Sequence, residues 1–230
     1  MDCVKEISVI RYRGGMGRLT EDRVVQEYEF TLVFNGTVVE RGTCLPTRLE
    51  EMARGFLLSE GYVARPEHIR SVLVLTGEGR IEAEGKALAT PPPLGRLSGA
   101  RWTPDQVMDI AARFLRTSEL FQMTGSVHSA LLEVDGKEYY AEDLGRHNAI
   151  DKVVGMAMAG GLRMEHSVLY TSGRLPVAMA RKAVRAGIPV VVSRSAPTDL
   201  TLELARETGL TVIGFAREGR MNLYAPLGGK

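Results

Sequence analysis

The residues best equipped for chemistry in this chain are arginines standing beside glycines and hydroxyl side chains at four places in its second half. They occur in Glu142-Asp143-Leu144-Gly145-Arg146-His147-Asn148, Ser172-Gly173-Arg174, Arg194-Ser195-Ala196-Pro197-Thr198 and Phe215-Ala216-Arg217-Glu218-Gly219-Arg220. A guanidinium offers a planar fork of donors matched to phosphate, and glycine lets a ligand approach the backbone closely. The chemistry expected is recognition of a nucleotide-sized anion. With 23 arginines against 6 lysines in the chain, arginine content alone says little, so position must carry the argument.

Two histidines extend the set. His147, with Asp143 close by, can contact a ligand or handle a proton; equally, Asn148, Asp151 and Lys152 at helical spacing can be a solvated face with a capped start. His128 lies in Thr124-Gly125-Ser126-Val127-His128-Ser129-Ala130. Zinc deaminases need His-x-Glu and a later Pro-Cys-x-x-Cys, whereas position 130 is alanine and the later loop reads Thr171-Ser172-Gly173-Arg174, so that chemistry is excluded. Arg13-Gly14-Gly15-Met16-Gly17 precedes no helical pattern and reads as a flexible turn rather than a dinucleotide fingerprint. Cys3 and Cys44 are far apart and make no Cys-x-x-Cys, which argues against a disulfide framework or a cysteine zinc site.

The elements that must position these residues follow from periodicity. Val24 to Phe34 reads as strand, and Asn35-Gly36 as a hairpin turn leading to Val38-Val39. A helix from Pro46 to about Ser59 buries Leu49, Met52, Ala53, Phe56 and Leu57, and short strands cover Ile69 to Leu75 and Arg80 to Glu84. Gly85 to Arg101, with Pro91-Pro92-Pro93, reads as a linker. Thr103 caps a helix running to about Leu120 that buries Val107, Ile110, Ala111, Phe114 and Leu115.

Strands and helices then alternate. Strands are expected at Ser129 to Val134, Glu138 to Ala141, Ser167 to Thr171, Ile188 to Val192 and Thr211 to Phe215. Helices are expected from Asn148 to Ala159, from Pro176 to Ala186, and from Thr198 to about Thr208. This order demands a largely parallel sheet, making the fold class α/β, with residues 102–230 as one domain and residues 1–101 as a smaller α+β domain and connecting loop. In such sheets ligands bind beyond the carboxyl ends of the strands, where all four arginine loops fall.

A net charge of +1 gives no support for wholesale nucleic-acid binding. No apolar run reaches the roughly 20 residues of a membrane span, and the first residues have no signal-peptide core, so a cytoplasmic protein is expected.

Several runs together resemble the FdhD/NarQ family of formate dehydrogenase accessory proteins. They are Asn35-Gly36, Gly55 to Gly61, Gln122 to His128, Glu142 to Lys152, Ser172-Gly173-Arg174, Ser193 to Thr198 and Leu210 to Arg220, with Tyr224 and Pro226 after them. The resemblance implies a cytidine-deaminase-like C-terminal domain without its zinc, a homodimer, and binding of the molybdenum bis-guanine dinucleotide cofactor, with GDP as an analogue. The family's cofactor segment maps onto Phe215, Ala216, Arg217, Glu218, Gly219 and Arg220. The resemblance also implies sulfur transfer from a cysteine desulfurase to that cofactor before its insertion into formate dehydrogenase. The family carries the sulfur on a Cys-x-x-Cys loop between the domains; here the corresponding Gly85 to Arg101 has no cysteine, leaving Cys44 and then Cys3 as the only thiols.

Three functions remain open at this point. One is an accessory protein that binds the cofactor, with or without sulfurtransferase activity. Another is a nucleotide-binding regulator or scaffold. The third is an enzyme centred on Asp143, His147 and His128.

Overall fold

The computed structural model describes residues 3–99 and 101–226, without the side chains of Leu115 and Arg116. Leu115, expected on a buried helix face, therefore lies outside the described residues. Strands β1 (Val4–Arg13) and β2 (Met16–Val25) form a hairpin of their own. Strands β3 (Tyr28–Phe34), β4 (Thr37–Cys44), β5 (Ile69–Leu75) and β6 (Arg80–Gly85) form a four-stranded sheet with helix α1 (Leu49–Ser59) against it. After the linker come α2 (Pro104–Thr117), α3 (Glu119–Thr124), β7 (His128–Val134), β8 (Lys137–Asp143), α4 (Arg146–Ala159), β9 (Ser167–Thr171), α5 (Val177–Ala186), β10 (Val190–Ser193), α6 (Asp199–Thr208), β11 (Thr211–Arg217) and β12 (Arg220–Ala225).

The six later strands make one sheet in the order β12-β11-β10-β9-β7-β8. Its centre, β9-β10-β11, is parallel, as alternating strands and helices require. Its margins are antiparallel, a departure from the largely parallel sheet expected. Two of the three antiparallel pairs have a local cause: Asp135-Gly136 (φ 49° and 77°) and Glu218-Gly219 (φ 53° and 76°) are two-residue turns with both φ positive, which join only antiparallel neighbours. The third, β7 with β9, follows because β8 returns through α4 to a β9 running its own way, with β7 between them.

Other departures are equally local. The run from Val24 to Phe34 breaks at Gln26-Glu27, and the two pieces enter different sheets. Gly14 and Gly15 (φ 57° and 82°) form the expected turn, which closes the β1–β2 hairpin. The helix expected from Pro46 begins at Leu49 because Arg48 is left-handed, at φ 53°. The helix capped by Thr103, whose hydroxyl accepts from the Gln106 amide at 3.1 Å, stops at Thr117 because Ser118 (φ −81°, ψ 79°) is not helical.

Apolar side chains order these elements into layers. Val107, Ile110, Ala111 and Phe114 of α2 pack on Leu131, Val168, Tyr170, Val192 and Ile213 of the six-stranded sheet. The alternate residues Leu132, Leu169, Val191 and Val212 face α4, α5 and α6. Helix α1 packs across α4, and Phe30, Leu32 and Ile81 of the four-stranded sheet cover its other side. The two larger sheets lie on either side of the linker in sequence, but the apolar core crosses from one to the other through Phe34, Leu57, Val63 and Ala83. Gly85 still belongs to β6, but from Lys86 on the linker has no helix or strand among its described residues and is pinned by Leu88 N–H to Tyr62 O (2.9 Å) and Leu97 N–H to Thr208 O (2.7 Å).

At the α1–α4 crossing the backbones touch. A Cβ on Gly55 would stand 1.9 Å from the Asp151 carbonyl oxygen, and one on Gly155 would stand 1.9 Å from that of Glu51. The polar side of α4 is consequently buried. Asp151 and Lys152 are 1% and 0% exposed, contrary to the solvated face their spacing suggests. A helix sandwiched between a sheet and another helix has no free side, so its charges must be paired. Lys152 pairs with Asp143 at 2.6 Å and donates to the carbonyls of Leu45 and Glu142. Lys182 of α5 pairs with Asp151 and Glu60, both at 2.8 Å, and the Ser59 hydroxyl donates to Asp151 at 2.7 Å.

Candidate functional site

Strand β7 is antiparallel to both β8 and β9, so β8 points the same way as β9, β10 and β11. The carboxyl ends of these four strands, the start of β7 and the start of β12 therefore share one sheet edge. The register fixes who meets whom: His128 opposite Asp143, Ala130 opposite Thr171, Thr171 opposite Ser193, and Arg217 opposite Arg220. All four arginine loops meet there, as their positions after strands predicted.

Hydrogen bonds tie the loops together. The Ser172 amide donates to Ser129 O and the Ser129 amide to the Ser172 hydroxyl, both at 3.0 Å. The Ser193 hydroxyl donates to Gly173 O at 2.7 Å and accepts from the Ser195 amide at 2.9 Å. Arg194 N–H reaches Thr171 O, and Phe215 N–H reaches Ser195 O, each at 3.0 Å. Phe215 is held at φ 53° inside a bulge of β11, and the buried Tyr170 hydroxyl donates to Ala216 O from beneath. Burial lifts that phenol to about 12 despite Arg194 and Arg217 nearby, so it stays a donor.

On this frame Arg146, Arg194 and Arg217 are half-buried, and Arg174 and Arg220 are exposed. The Nε atoms of Arg146, Arg194 and Arg217 are buried and have no hydrogen-bond partner in the protein. Among the described residues, none of the five arginines forms an ion pair; of the carboxylates near the edge, Asp143 is committed to Lys152 and Glu142 to the Ser118 hydroxyl, while Glu218 is exposed in its turn. Glu218 and Gly219 are turn residues that bring Arg217 and Arg220 opposite each other. Like charges so placed destabilise a strand pair. An anion between them removes that cost, and it also gives the unpartnered guanidinium nitrogens an acceptor.

Gly173 supplies the floor. A Cβ there would come within 3.0 Å of Arg146 Cδ and 3.6 Å of His128 Nδ1, so both side chains reach over bare backbone. His128 Nδ1 is 3.3 Å from the Ser172 hydroxyl. Burial, then the charge of Arg146, lowers the His128 pKa; burial, then Lys182 and Arg146, lowers that of His147. The donor set fits a phosphate-bearing ligand.

Two candidate residues lie in the interior. Asp143 has no exposed surface: beyond Lys152, it accepts from the amides of Leu45 (3.1 Å) and Gly145 (3.0 Å) and from the Asn148 side chain (2.9 Å). It thus anchors the start of α4 and does not face a ligand. Cys44 is likewise 0% exposed, and burial, reinforced by Asp143, pushes its thiol up to about 12. Tyr170 and Ser193 were not singled out from the sequence; a tyrosine in an otherwise aliphatic buried strand was the available signal. Among the described residues no group of three or more His, Cys, Asp or Glu could hold a metal ion, and no helix is long and apolar enough to cross a membrane.

Comparison with known proteins adds a second line of observation. The sequence model of the FdhD/NarQ family matches residues 25–92 and 77–228. A protein of Staphylococcus haemolyticus named sulfur carrier protein FdhD is 32% identical, covering 97% of this chain and 96% of its own length. That alignment extends over 253 positions, more than the 230 residues here, so the relative carries residues this chain lacks. A protein of the same name from Wolinella succinogenes is 36% identical over 90% of this chain and 82% of its own. The crystal structure of a putative formate dehydrogenase accessory protein from Desulfotalea psychrophila superposes with a TM-score of 0.87, at 31% identity and 98% coverage of both chains.

Proposed function

The chain belongs to the FdhD/NarQ family, and from that premise we propose that it serves formate dehydrogenase maturation by holding the molybdenum bis-guanine dinucleotide cofactor at the arginine edge. The observation that carries this reading is the convergence of Arg146, Arg194 and Arg217, each with a buried Nε lacking a protein partner, on loops cross-tied by Ser172, Ser193 and Tyr170. When bound, the cofactor supplies the metal centre that receives sulfur. The residues of this chain bind and orient its phosphates, and Phe215 to Arg220 line the edge beside them. The six-stranded sheet then serves as a cytidine-deaminase-like frame in which Ser172-Gly173-Arg174 stands where the zinc enzymes have their cysteine loop. The partners in this reading are a cysteine desulfurase, a formate dehydrogenase and a second copy of the chain, in the cytoplasm.

Cys44 favours a form in which it carries no persulfide, which leaves Cys3 as the one other thiol of the chain. A thiolate is the species that takes up sulfur, and burial holds this thiol near 12. Cys44 is expected to resist a thiol reagent at pH 8 in the folded protein and to react once denatured. Labelled cysteine with a desulfurase is expected to leave no sulfur on it. Labelling of Cys44 in the native state would restore the sulfurtransferase reading.

Calorimetric titration with GDP tests the site. Arg194→Ala and Arg217→Ala each remove a charge-assisted hydrogen bond, worth roughly 1.5–3 kcal/mol, so affinity is expected to fall about tenfold or more in each. Equal affinity in both variants and the parent would overturn the assignment.

A further inference from the structure

We propose that the edge has a proton-coupled half, in which His128 and Arg146, over Ser172 and Gly173, with His147 next to Arg146 on α4, bind a phosphate or pyrophosphate group together with a proton taken up by the imidazoles. This rests on the anion-site reading above and assigns a chemistry to one part of it. The β10–β11 part offers Arg194, Arg217 and Arg220, whose charge is permanent. The part built by β7, β9 and α4 differs in kind, since two of its three basic groups are imidazoles, which can gain or lose a proton.

The surroundings of the two imidazoles disfavour their charged form. His128 begins β7, half-buried, with Arg146 and Ser172 around it. Its cross-strand partner Asp143 is committed to Lys152 at 2.6 Å and offers it no negative charge. His147 follows Arg146 on α4 and lies in the field of Lys182 from α5, of Arg146 itself, of Glu60 after the end of α1, and of His128 from β7. Glu60 and Asp151 already share the Lys182 ammonium, each at 2.8 Å. Both rings therefore sit half-buried beside positive charge, and their pKa values lie below the ordinary histidine value. A bound anion reverses the local field and raises both.

Ser172 couples the proton to the ligand. Its hydroxyl oxygen accepts from the Ser129 amide, so its one hydrogen is free to donate to Nδ1 of a neutral His128. When Nδ1 is protonated the bond reverses: the imidazolium donates to Ser172, and the hydroxyl hydrogen turns towards the ligand. One protonation thus creates a positive charge and releases a donor over the bare backbone of Gly173. Because binding raises the imidazole pKa values, affinity increases as pH falls through the window between the bound and free values. It levels off below the free values, where the rings are already charged.

The probe is the pyrophosphate diester of two guanosines, whose phosphates do not titrate between pH 6 and 8. Its binding to the full chain is measured calorimetrically at pH 6, 7 and 8 in two buffers of different ionisation heat. We expect net proton uptake at pH 7 and affinity at least threefold higher at pH 6 than at pH 8; linkage caps the change at about tenfold per pH unit for each proton taken up. The His128→Asn/His147→Asn double variant should bind more weakly, with affinity independent of pH and no proton uptake. The two-buffer comparison on the unaltered chain decides the matter even if that variant fails to fold. Binding without proton uptake, or uptake undiminished in the folded double variant, would overturn this proposal while leaving the anion site standing. Absence of binding at every pH would overturn the anion site itself.

Discussion

Lys152→Met is expected to cost roughly 3–5 kcal/mol of stability, the penalty typical of stripping one partner from a buried ion pair. Lys152 and Asp143 are both 0% exposed and lie 2.6 Å apart. Methionine fills most of the space but leaves the Asp143 carboxylate without its countercharge. It also deprives the carbonyls of Leu45 and Glu142 and the Thr47 hydroxyl of a donor. Asp143 in turn holds the Gly145 amide and Asn148, so the start of α4, which carries Arg146 and His147, should loosen with it. Urea unfolding of the two proteins measures the cost, and GDP affinity reports the loosening. A loss below about 1 kcal/mol would put the pair in the class of exposed salt bridges and contradict its role as an anchor.

Gly155→Ala is expected to destabilise by about 3 kcal/mol, at the upper end of what overpacking costs. Local energetics favour the opposite sign, since alanine in a helix interior is better than glycine by about 1 kcal/mol. The contact decides: the added Cβ would stand 1.9 Å from the Glu51 carbonyl oxygen, and that neighbour is helix backbone with no rotamer to turn aside. Helices α1 and α4 must separate, opening the core that runs from Phe34 and Leu57 to Val153 and Leu132. For a chain of this size 3 kcal/mol corresponds to a fall in Tm of roughly 6–12 °C. Gly55→Ala, which meets the Asp151 carbonyl from the other side, should behave alike. A variant as stable as the parent would show that the two helices do not cross this closely.

These same residues mark where the sequence was and was not legible. The strands and helices feeding the site were readable because glycines and a threonine punctuate them: Gly187 and Gly209 end α5 and α6 in the left-handed conformation, and Thr103 caps α2. The arginine loops could be placed at one edge because chain alternation alone dictates which ends of parallel strands coincide. The burial of Asp151 and Lys152 was not readable, since helical periodicity reports one polar face and says nothing of a second helix laid upon it. Gly55 and Gly155 were the only local hint of that contact. Strand β12 was missed for a related reason. Arg220–Ala225 lies at the sheet margin with little buried surface, and its pairing is set by the Glu218-Gly219 turn rather than by its own pattern. Asp143 looked like a ligand-facing group because a carboxylate beside Arg146 and His147 is ambiguous until its depth is known.

The anion edge and the ion-pair layer are parts of one construction. Asp143 reaches back to Lys152 in the interior while Arg146, three residues on, lies over Gly173 at the edge. The stability of the α1–α4 layer therefore sets how firmly half of the site is held. The other half hangs on Tyr170 and Ser193, which brace the bulge at Phe215 and the loop at Gly173.

The central claim is that a guanine nucleotide is held by its phosphates at this edge, and the most direct measurement is a crystal structure of the full chain with GDP. The account predicts phosphate oxygens within hydrogen-bonding distance, roughly 2.7–3.2 Å, of the Arg194 and Arg217 guanidiniums, above Gly173. A nucleotide seated elsewhere, with those guanidiniums still without an acceptor, would contradict it.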